Sequence, residues 1–289
     1  MSSYLVLPSP AKLNLFLHIN GRREDGYHLL QSIFQFIDRC DELKFQLRSD
    51  SEIEVGPDIP GVAKTDNLIY RAARLLQQHS HCQLGADIEL HKILPMGGGL
   101  GGGSSNAATA LLGLNHLWQL NLSIETLAEL GLQLGADVPV FVRGFAAWAE
   151  GVGEILKPMM DLEETWFVVV VPQCHVNTGE IFSHKELTRN TPIWKMSAAL
   201  RGEGRNDCEA VVTKLYKEVD NSLNLLKKFG SARMTGTGAC CYLECNSKAQ
   251  AQSVRAQLPA DIEAFIAKGV NHSPLHQALQ KALNSQVKN

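Results

Sequence analysis

The 289-residue sequence predicts an α+β fold built as two units. Strand-like alternation dominates residues 4–20, 27–37, 42–55 and 86–94. Apolar residues at helical spacing cover 67–79, 104–118, 124–134, 207–219, 221–229 and 247–257. The run Trp166 to Val171 is apolar throughout, which suits a buried strand opening a second α+β unit after the polar stretch 157–165. The expected units are residues 1–160 and 161–289. A chain of this length can bury a sizeable core, as one large or two modest domains, and it shows no internal repeat.

In the first strand Ala11, Leu13, Leu15, Leu17 and Ile19 share one face, and Lys12, Asn14, Phe16, His18 and Asn20 the other. A one-sided strand turns its polar face to water, which is the expectation for His18 and Asn20. Asp25-Gly26 marks a tight turn before Tyr27 and His28. Asn67 stands where the helix 67–79 opens, and His79, His81 and Cys82 read as its solvated end rather than a metal site, because a fourth ligand is missing. Ile88 to Leu94 is strand-like, and the helix 104–118 follows with Ser104 or Ser105 as its cap. Gly135 is expected to end the helix 124–134, and Asp137 to cap the next one just before Pro139. Residues 189–206 read as an irregular excursion.

Between the strand and the helix lies Pro95-Met96-Gly97-Gly98-Gly99-Leu100-Gly101-Gly102-Gly103-Ser104-Ser105, with six glycines in positions 97–103. Each glycine costs a regular element roughly 0.5–1 kcal/mol, so the run needs a compensating purpose. A polyphosphate supplies one, because it requires bare backbone N–H groups at close range and gains from the helix dipole behind them. A Walker-type loop is excluded by the absence of lysine in or after the run. Gly97, Gly99 and Gly102 match the dinucleotide fingerprint, but a run this dense matches it by accident, and a second helical pattern stands where a Rossmann unit needs a strand. The loop is read as lying outside the core, so a valine at Gly101 is expected to block phosphate and spare the fold.

The net charge of −3 gives no basic surface for nucleic acid, and no apolar run is long enough to cross a bilayer or act as a signal peptide. The seven cysteines include no CxxC pair, and Cys240, Cys241 and Cys245 share a strand-like segment. They read as small buried hydrophobes in a reducing cytoplasm.

Pro95, Gly99, Leu100, Gly101, Ser104, Ser105 and Ala107 resemble the second motif of the GHMP kinases. Pro8-Ser9-Pro10-Ala11-Lys12-Leu13-Asn14-Leu15 is similar to the first motif, and Thr235-Gly236-Thr237-Gly238-Ala239 to the third. Asp25-Gly26-Tyr27-His28 and Gly135-Ala136-Asp137-Val138-Pro139 resemble signatures of one branch, whose acceptor is a cytidylated methylerythritol. The matches run in order from residue 8 to about 275.

The resemblance implies a two-domain fold, with an N-terminal ATP-binding domain like domain 2 of ribosomal protein S5, a ferredoxin-like C-terminal domain, and the active site in the cleft between them. It implies a kinase using ATP and Mg²⁺ on a small-molecule acceptor, with no nucleic-acid or membrane partner, and it implies nothing about oligomeric state. Lys12 and Asp137 would be catalytic, and whether Asp137 takes the proton or positions the hydroxyl stays open. Asn67, Lys92 and the loop from Pro95 to Ser105 would hold ATP, with Ser104 or Ser105 toward the metal. Asn14, Tyr27, His28, Thr178, Phe182, Gly236, Thr237 and Gly238 would hold the acceptor, with Tyr27 stacking on the base, Phe182 adding a second ring and His28 reading its polar edge. Asn177 with Glu180 could equally make the surroundings of Thr178 a helix cap. A homoserine- or mevalonate-type kinase is the alternative within the family, and Asp25-Gly26-Tyr27-His28 speaks against it. The alternative outside catalysis is a nucleotide-responsive binding protein on the same fold, and the presence of both Lys12 and Asp137 speaks against that.

Overall fold

β1 (Leu5–Arg22) and β2 (His28–Arg48) form a long antiparallel hairpin, from Leu5 opposite Phe45 to Arg22 opposite His28. Its turn places Gly26 at φ 92°, and the Tyr27 N–H donates to Asp25 Oδ1 at 3.1 Å. The computed structural model describes residues 4–199 and 204–286. Register shifts at Pro10/Ala11, Asn14/Leu17 and Ile19/Gly21 interrupt the alternation expected for β1. The expected strands 27–37 and 42–55 are largely one strand, because Asp38 to Glu42 continues the ladder, and only β3 (Ile53–Gly56) is separate. α1 (Leu68–Ser80) follows, capped by Asn67, whose Oδ1 accepts from the Ile69 N–H at 2.9 Å. β4 (Gly85–His91) lies antiparallel to β2 and parallel to β3, and stops three residues short of Leu94.

α2 (Gly102–Leu117), α3 (Ile124–Leu134) and α4 (Val138–Arg143) come next. Their apolar side chains, including Leu111, Leu127 and Phe141, meet Leu7, Phe36 and Phe45 of the hairpin in the first core. β5 (Ala147–Glu150) pairs with the start of β2 and with β6 (Ile155–Pro158).

The second unit opens on β7 (Trp166–Val170) as expected and continues through α5 (Thr178–Ser183) and α6 (Met196–Ala199). The expected helices 207–219 and 221–229 are α7 (Glu209–Leu215) and α8 (Lys217–Leu226), with the break at Tyr216, which is extended, rather than near residue 220. β8 (Ala232–Met234), β9 (Cys241–Cys245), α9 (Lys248–Gln257) and β10 (Ala264–Val270) complete it. The strands run β10-β7-β9-β8, all antiparallel, in the ferredoxin-like arrangement. Val212, Leu223 and Val254 pack on Val168, Val170 and Leu243 in a second core.

α10 (Pro274–Gln286) had no counterpart in the sequence pattern, and it returns to the first core through Leu275 and Leu279. β10 also pairs with β2, Gly269 opposite Ile37 and Val270 opposite Phe36, which joins the two sheets. β10 and α10, which lie after the boundary expected at residue 160, thus contact the sheet and core of the first unit. At the seam Leu13 and Ile37 meet Leu94, Leu100, Phe167 and Tyr242 in a third cluster.

The excursion 189–206, of which residues 200–203 lie outside the described residues, covers the face of β1 that was expected to be wet. Thr191 N–H donates to Ile19 O at 3.0 Å, and Leu17 N–H to Arg205 O at 2.9 Å. His18 is consequently buried, with Phe16 and Trp194 against its ring at 4.8 and 4.5 Å, and Asn20 is half-buried with its amide on Thr191 O. All seven cysteines are free thiols, and burial pushes Cys208 and Cys240 up to about 12, which keeps them protonated and inert. Among the described residues no helix is long and apolar enough to cross a membrane.

Candidate active site

The glycine run is two structures rather than one. Gly97, Gly99 and Gly101 sit in the left-handed region at φ 66°, 73° and 71°, and Gly101 turns the chain straight into α2. The helix thus starts inside the glycine block, and neither Ser104 nor Ser105 is its cap. The first intrahelical bond runs from Ser105 N–H to Gly101 O at 2.8 Å, so the amides of Gly102, Gly103 and Ser104 have no partner in the helix. Ser105 is fully buried and accepts from Ser9 Oγ at 2.8 Å, which leaves Ser104 as the serine facing the cavity.

The loop is also docked. Ala239 N–H donates to Gly97 O at 3.2 Å and Cys240 N–H to Gly98 O at 3.1 Å. A Cβ on Gly99 would stand 2.2 Å from Thr235 O, so only glycine allows this approach. Leu100 is buried in the seam cluster, and a Cβ on Gly101 would lie 2.8 Å from the Phe141 ring. A valine at Gly101 would therefore strike the core, contrary to the expectation that the fold would be spared. Gly103 is the better probe, because its Cβ would meet only Leu68 Cδ1, at 3.4 Å on the cavity wall. Gly103→Ala should stabilise the helix by about 0.5–1 kcal/mol. If the phosphates of a nucleotide meet these free amides, the same methyl should weaken ATP binding on the order of 10-fold. A thermal melt and ATP calorimetry test this, and unchanged affinity would place the phosphates elsewhere.

A cavity of about 660 Å³ opens between the two units in front of this loop. Lys12, Asn14, Asn67, Lys92, the run Pro95 to Ser104, Asp137, Thr178, Phe182 and Gly236 to Gly238 all line it. The Lys12 side chain is 3% exposed, and its ammonium lies 2.6 Å from Asn14 Oδ1, 3.1 Å from Gly99 O and 3.4 Å from Asp137 Oδ2. Asn14 is held in turn, its amide donating to Ser32 Oγ at 2.9 Å and its backbone N–H to Thr235 Oγ1 at 2.9 Å. Asp137 stands at the start of α4 but makes no capping bond, so the expected cap is not formed and its carboxylate, 35% exposed, is left to the cavity.

Lys92 is aimed by a residue that the sequence pattern did not single out. Asp41, wholly buried, accepts from Lys92 Nζ at 2.6 Å, from the backbone N–H groups of Ile93 and Leu94 at 2.7 Å each, and from Asn106 Nδ2 at 3.0 Å. One carboxylate thereby ties the arm of the loop to the first helical turns of α2. A charged residue midway along β2 was the only signal of it.

The Tyr27 and His28 pair does not line the cavity. Tyr27 is 61% exposed at the hairpin tip, whereas His28 is buried and stacks on Phe182, centroids 5.0 Å apart. Phe182 is thus paired with His28 rather than with Tyr27, and carries the contact to the cavity wall. Arg189, unremarked in the excursion, donates from Nε to His28 Nε2 at 3.0 Å. Burial, then Arg189, then Arg22 hold His28 below its ordinary imidazole range, which keeps the ring neutral. Asn177 caps α5, its Oδ1 accepting from Glu180 N–H at 3.1 Å, while Thr178 Oγ1 lies 2.8 Å from Thr237 Oγ1. The helix cap raised for this segment is formed, and it leaves Thr178 on the cavity wall.

Comparison with known proteins matches residues 67–145 to the GHMP kinases N terminal domain and residues 189–264 to the GHMP kinases C terminal domain. A relative from Pseudomonas syringae pv. syringae, named 4-diphosphocytidyl-2-C-methyl-D-erythritol kinase, is 60% identical over 276 residues, 96% of this chain and 98% of its own. One of the same name from Aliivibrio fischeri is 55% identical over 95% of both chains. The crystal structure of a 4-(cytidine 5'-diphospho)-2C-methyl-D-erythritol kinase superposes with a TM-score of 0.80 at 31% identity, covering 92% of this chain and 99% of that one. With both domain models matched in order and relatives this similar along nearly its whole length, the chain belongs to the GHMP kinase family of phosphotransferases.

Proposed function

We propose that this chain transfers the γ-phosphoryl group of ATP to the 2-hydroxyl of 4-diphosphocytidyl-2-C-methyl-D-erythritol, a step of the non-mevalonate route to isoprenoid precursors. The observation that carries the reading is the placement of Lys12 and Asp137, 3.4 Å apart, in the cavity that holds the glycine loop. The identity of the acceptor is supported by the names of the relatives that share 55–60% of their sequence with this chain.

The unpartnered amides of Gly102, Gly103 and Ser104 cradle the β- and γ-phosphates, with Lys92 beside them. The acceptor oxygen attacks the γ-phosphorus, the bond to the β-phosphate oxygen breaks and ADP leaves. Asp137 takes the hydroxyl proton or holds the hydroxyl in line, and Lys12 stabilises the charge that develops. Mg²⁺ supplies charge neutralisation on the phosphates when bound. Ser104 suits it, offering one hydroxyl at the cavity wall to an ion that keeps most of its shell in phosphate and water. Reduced, protonated thiols fit a cytoplasmic setting.

Just beyond the cavity wall, where Phe182 stacks on His28, the two rings and Tyr27 take the cytosine. His28→Ala should lower kcat/KM for the cytidylated acceptor about 10- to 100-fold, as expected for losing a hydrogen bond and its partner surface, with the KM for ATP nearly unchanged. A coupled ADP-release assay with the cytidylated acceptor, homoserine and mevalonate tests the function. Turnover of either of the latter in preference to the cytidylated compound would overturn it.

A further inference from the structure

We infer that Arg189 is the positioning residue that sets base selectivity, by holding His28 as the tautomer with its proton on Nδ1. The inference rests on the reading that His28 meets the base of the acceptor.

The guanidinium is held on all sides. Arg189 Nη1 donates to Leu187 O at 3.1 Å, and Nη2 donates to Phe182 O and His184 O at 2.8 Å each. Its Nε is left pointing at His28 Nε2, 3.0 Å away. Arginine keeps its proton in proteins and has no acceptor, so the nitrogen facing it must accept. A neutral imidazole that accepts at Nε2 carries its proton on Nδ1, and among the described residues Nδ1 has no protein partner. The positive charges of Arg189 and Arg22 and the burial of the ring oppose a second proton. Because the same guanidinium anchors the Phe182 carbonyl, it also fixes the ring stacked on His28.

The consequence for recognition follows from the bases. Cytosine presents a bare ring nitrogen, N3, as an acceptor, and uracil presents N3–H in the same place. A fixed Nδ1–H donor pairs with the first and opposes the second. An imidazole freed from Arg189 can move its proton to Nε2 and accept from uracil N3–H. Selectivity for cytosine thus depends on a residue that need not touch the substrate.

The test compares the cytidylated acceptor with its uridine analogue. Arg189→Met should lower kcat/KM for the cytidylated acceptor about 10-fold, mainly through KM, and narrow the cytosine-to-uracil ratio by about the same factor. Nitrogen-15 NMR of the imidazoles should show wild-type His28 protonated at Nδ1, and the variant as a mixture of tautomers. A wild-type His28 protonated at Nε2 overturns the inference, whether or not the variant folds. If His28→Ala abolishes base preference while Arg189→Met keeps both the ratio and the Nδ1 proton, this inference alone fails. If His28→Ala leaves base preference intact, the reading of the base site fails and this inference with it.

Discussion

Asp137→Asn should cut kcat at least 10²-fold, the lower range for a positioned acid–base group, with the KM for ATP little changed. The geometry makes this substitution clean. Asp137 stands just before α4 without capping it, so the amide removes a charge and no hydrogen bond that the fold uses. The Lys12 ammonium keeps Asn14 Oδ1 and Gly99 O as partners, so the buried cation is not orphaned. Stability should fall by about 1 kcal/mol, because Lys12 loses its ion-pair partner but keeps two hydrogen bonds. Steady-state kinetics beside a urea melt separates the two quantities. Turnover near the wild-type rate would remove Asp137 from the chemistry. Lys12 is a poorer probe, because its loss would leave a buried amide oxygen and a loop carbonyl without their donor.

The second large effect falls on stability. Asp41→Ala should cost on the order of 3–5 kcal/mol, the range for removing one partner of a buried ionic cluster. It would strand the Ile93 and Leu94 N–H groups, while the Asn106 amide keeps Ser9 Oγ and Lys92 is partly exposed and can turn to water. Asp41→Asn offers limited relief, since its amide nitrogen would face the Lys92 and Asn106 donors. Total stabilities of domains run at about 5–15 kcal/mol, so the loss should move the urea midpoint far. A midpoint near the wild type would show that the four bonds to this carboxylate are dispensable.

Much of the site was legible because its signals are local. Glycine density announced a backbone that approaches something closely, and Leu111, Leu114 and Trp118 announced the helix behind it. The helix Ile124–Leu134 carries its own start and stop in Ser123 and Gly135. Asn67 was readable as the start of a helix and proved to be its cap while also lining the cavity. Resemblance placed Lys12 and Asp137 on the same list before any geometry joined them.

Other features were not legible, and they failed for one reason. His18 sits on the polar face of an alternating strand, and only the return of residues Thr191, Trp194 and Arg205 over that face buries it. Asp41 breaks the apolar pattern of β2, and its purpose appears only when Ile93 and Leu94 arrive beside it. β10 and α10 draw their place from partners in the first half of the chain, β2 and the first core.

Resemblance put forward the residues proposed for chemistry, whereas the sequence by itself determined the local elements: a glycine-dense turn running into a helix, and a cap such as Asn67 before its own. Residue type and short spacing suffice for that, because a glycine or a cap acts on its own neighbours. The tertiary structure decided which atoms remain for a ligand. Ser105 is consumed by Ser9 across 96 residues, one N–H of Lys92 by Asp41 across 51, and one nitrogen of His28 by Arg189 across 161, leaving Ser104, the rest of the Lys92 ammonium and the other imidazole nitrogen. A buried polar atom must find a partner wherever the fold brings one, and that choice is made by the packing of distant segments, which no local pattern encodes.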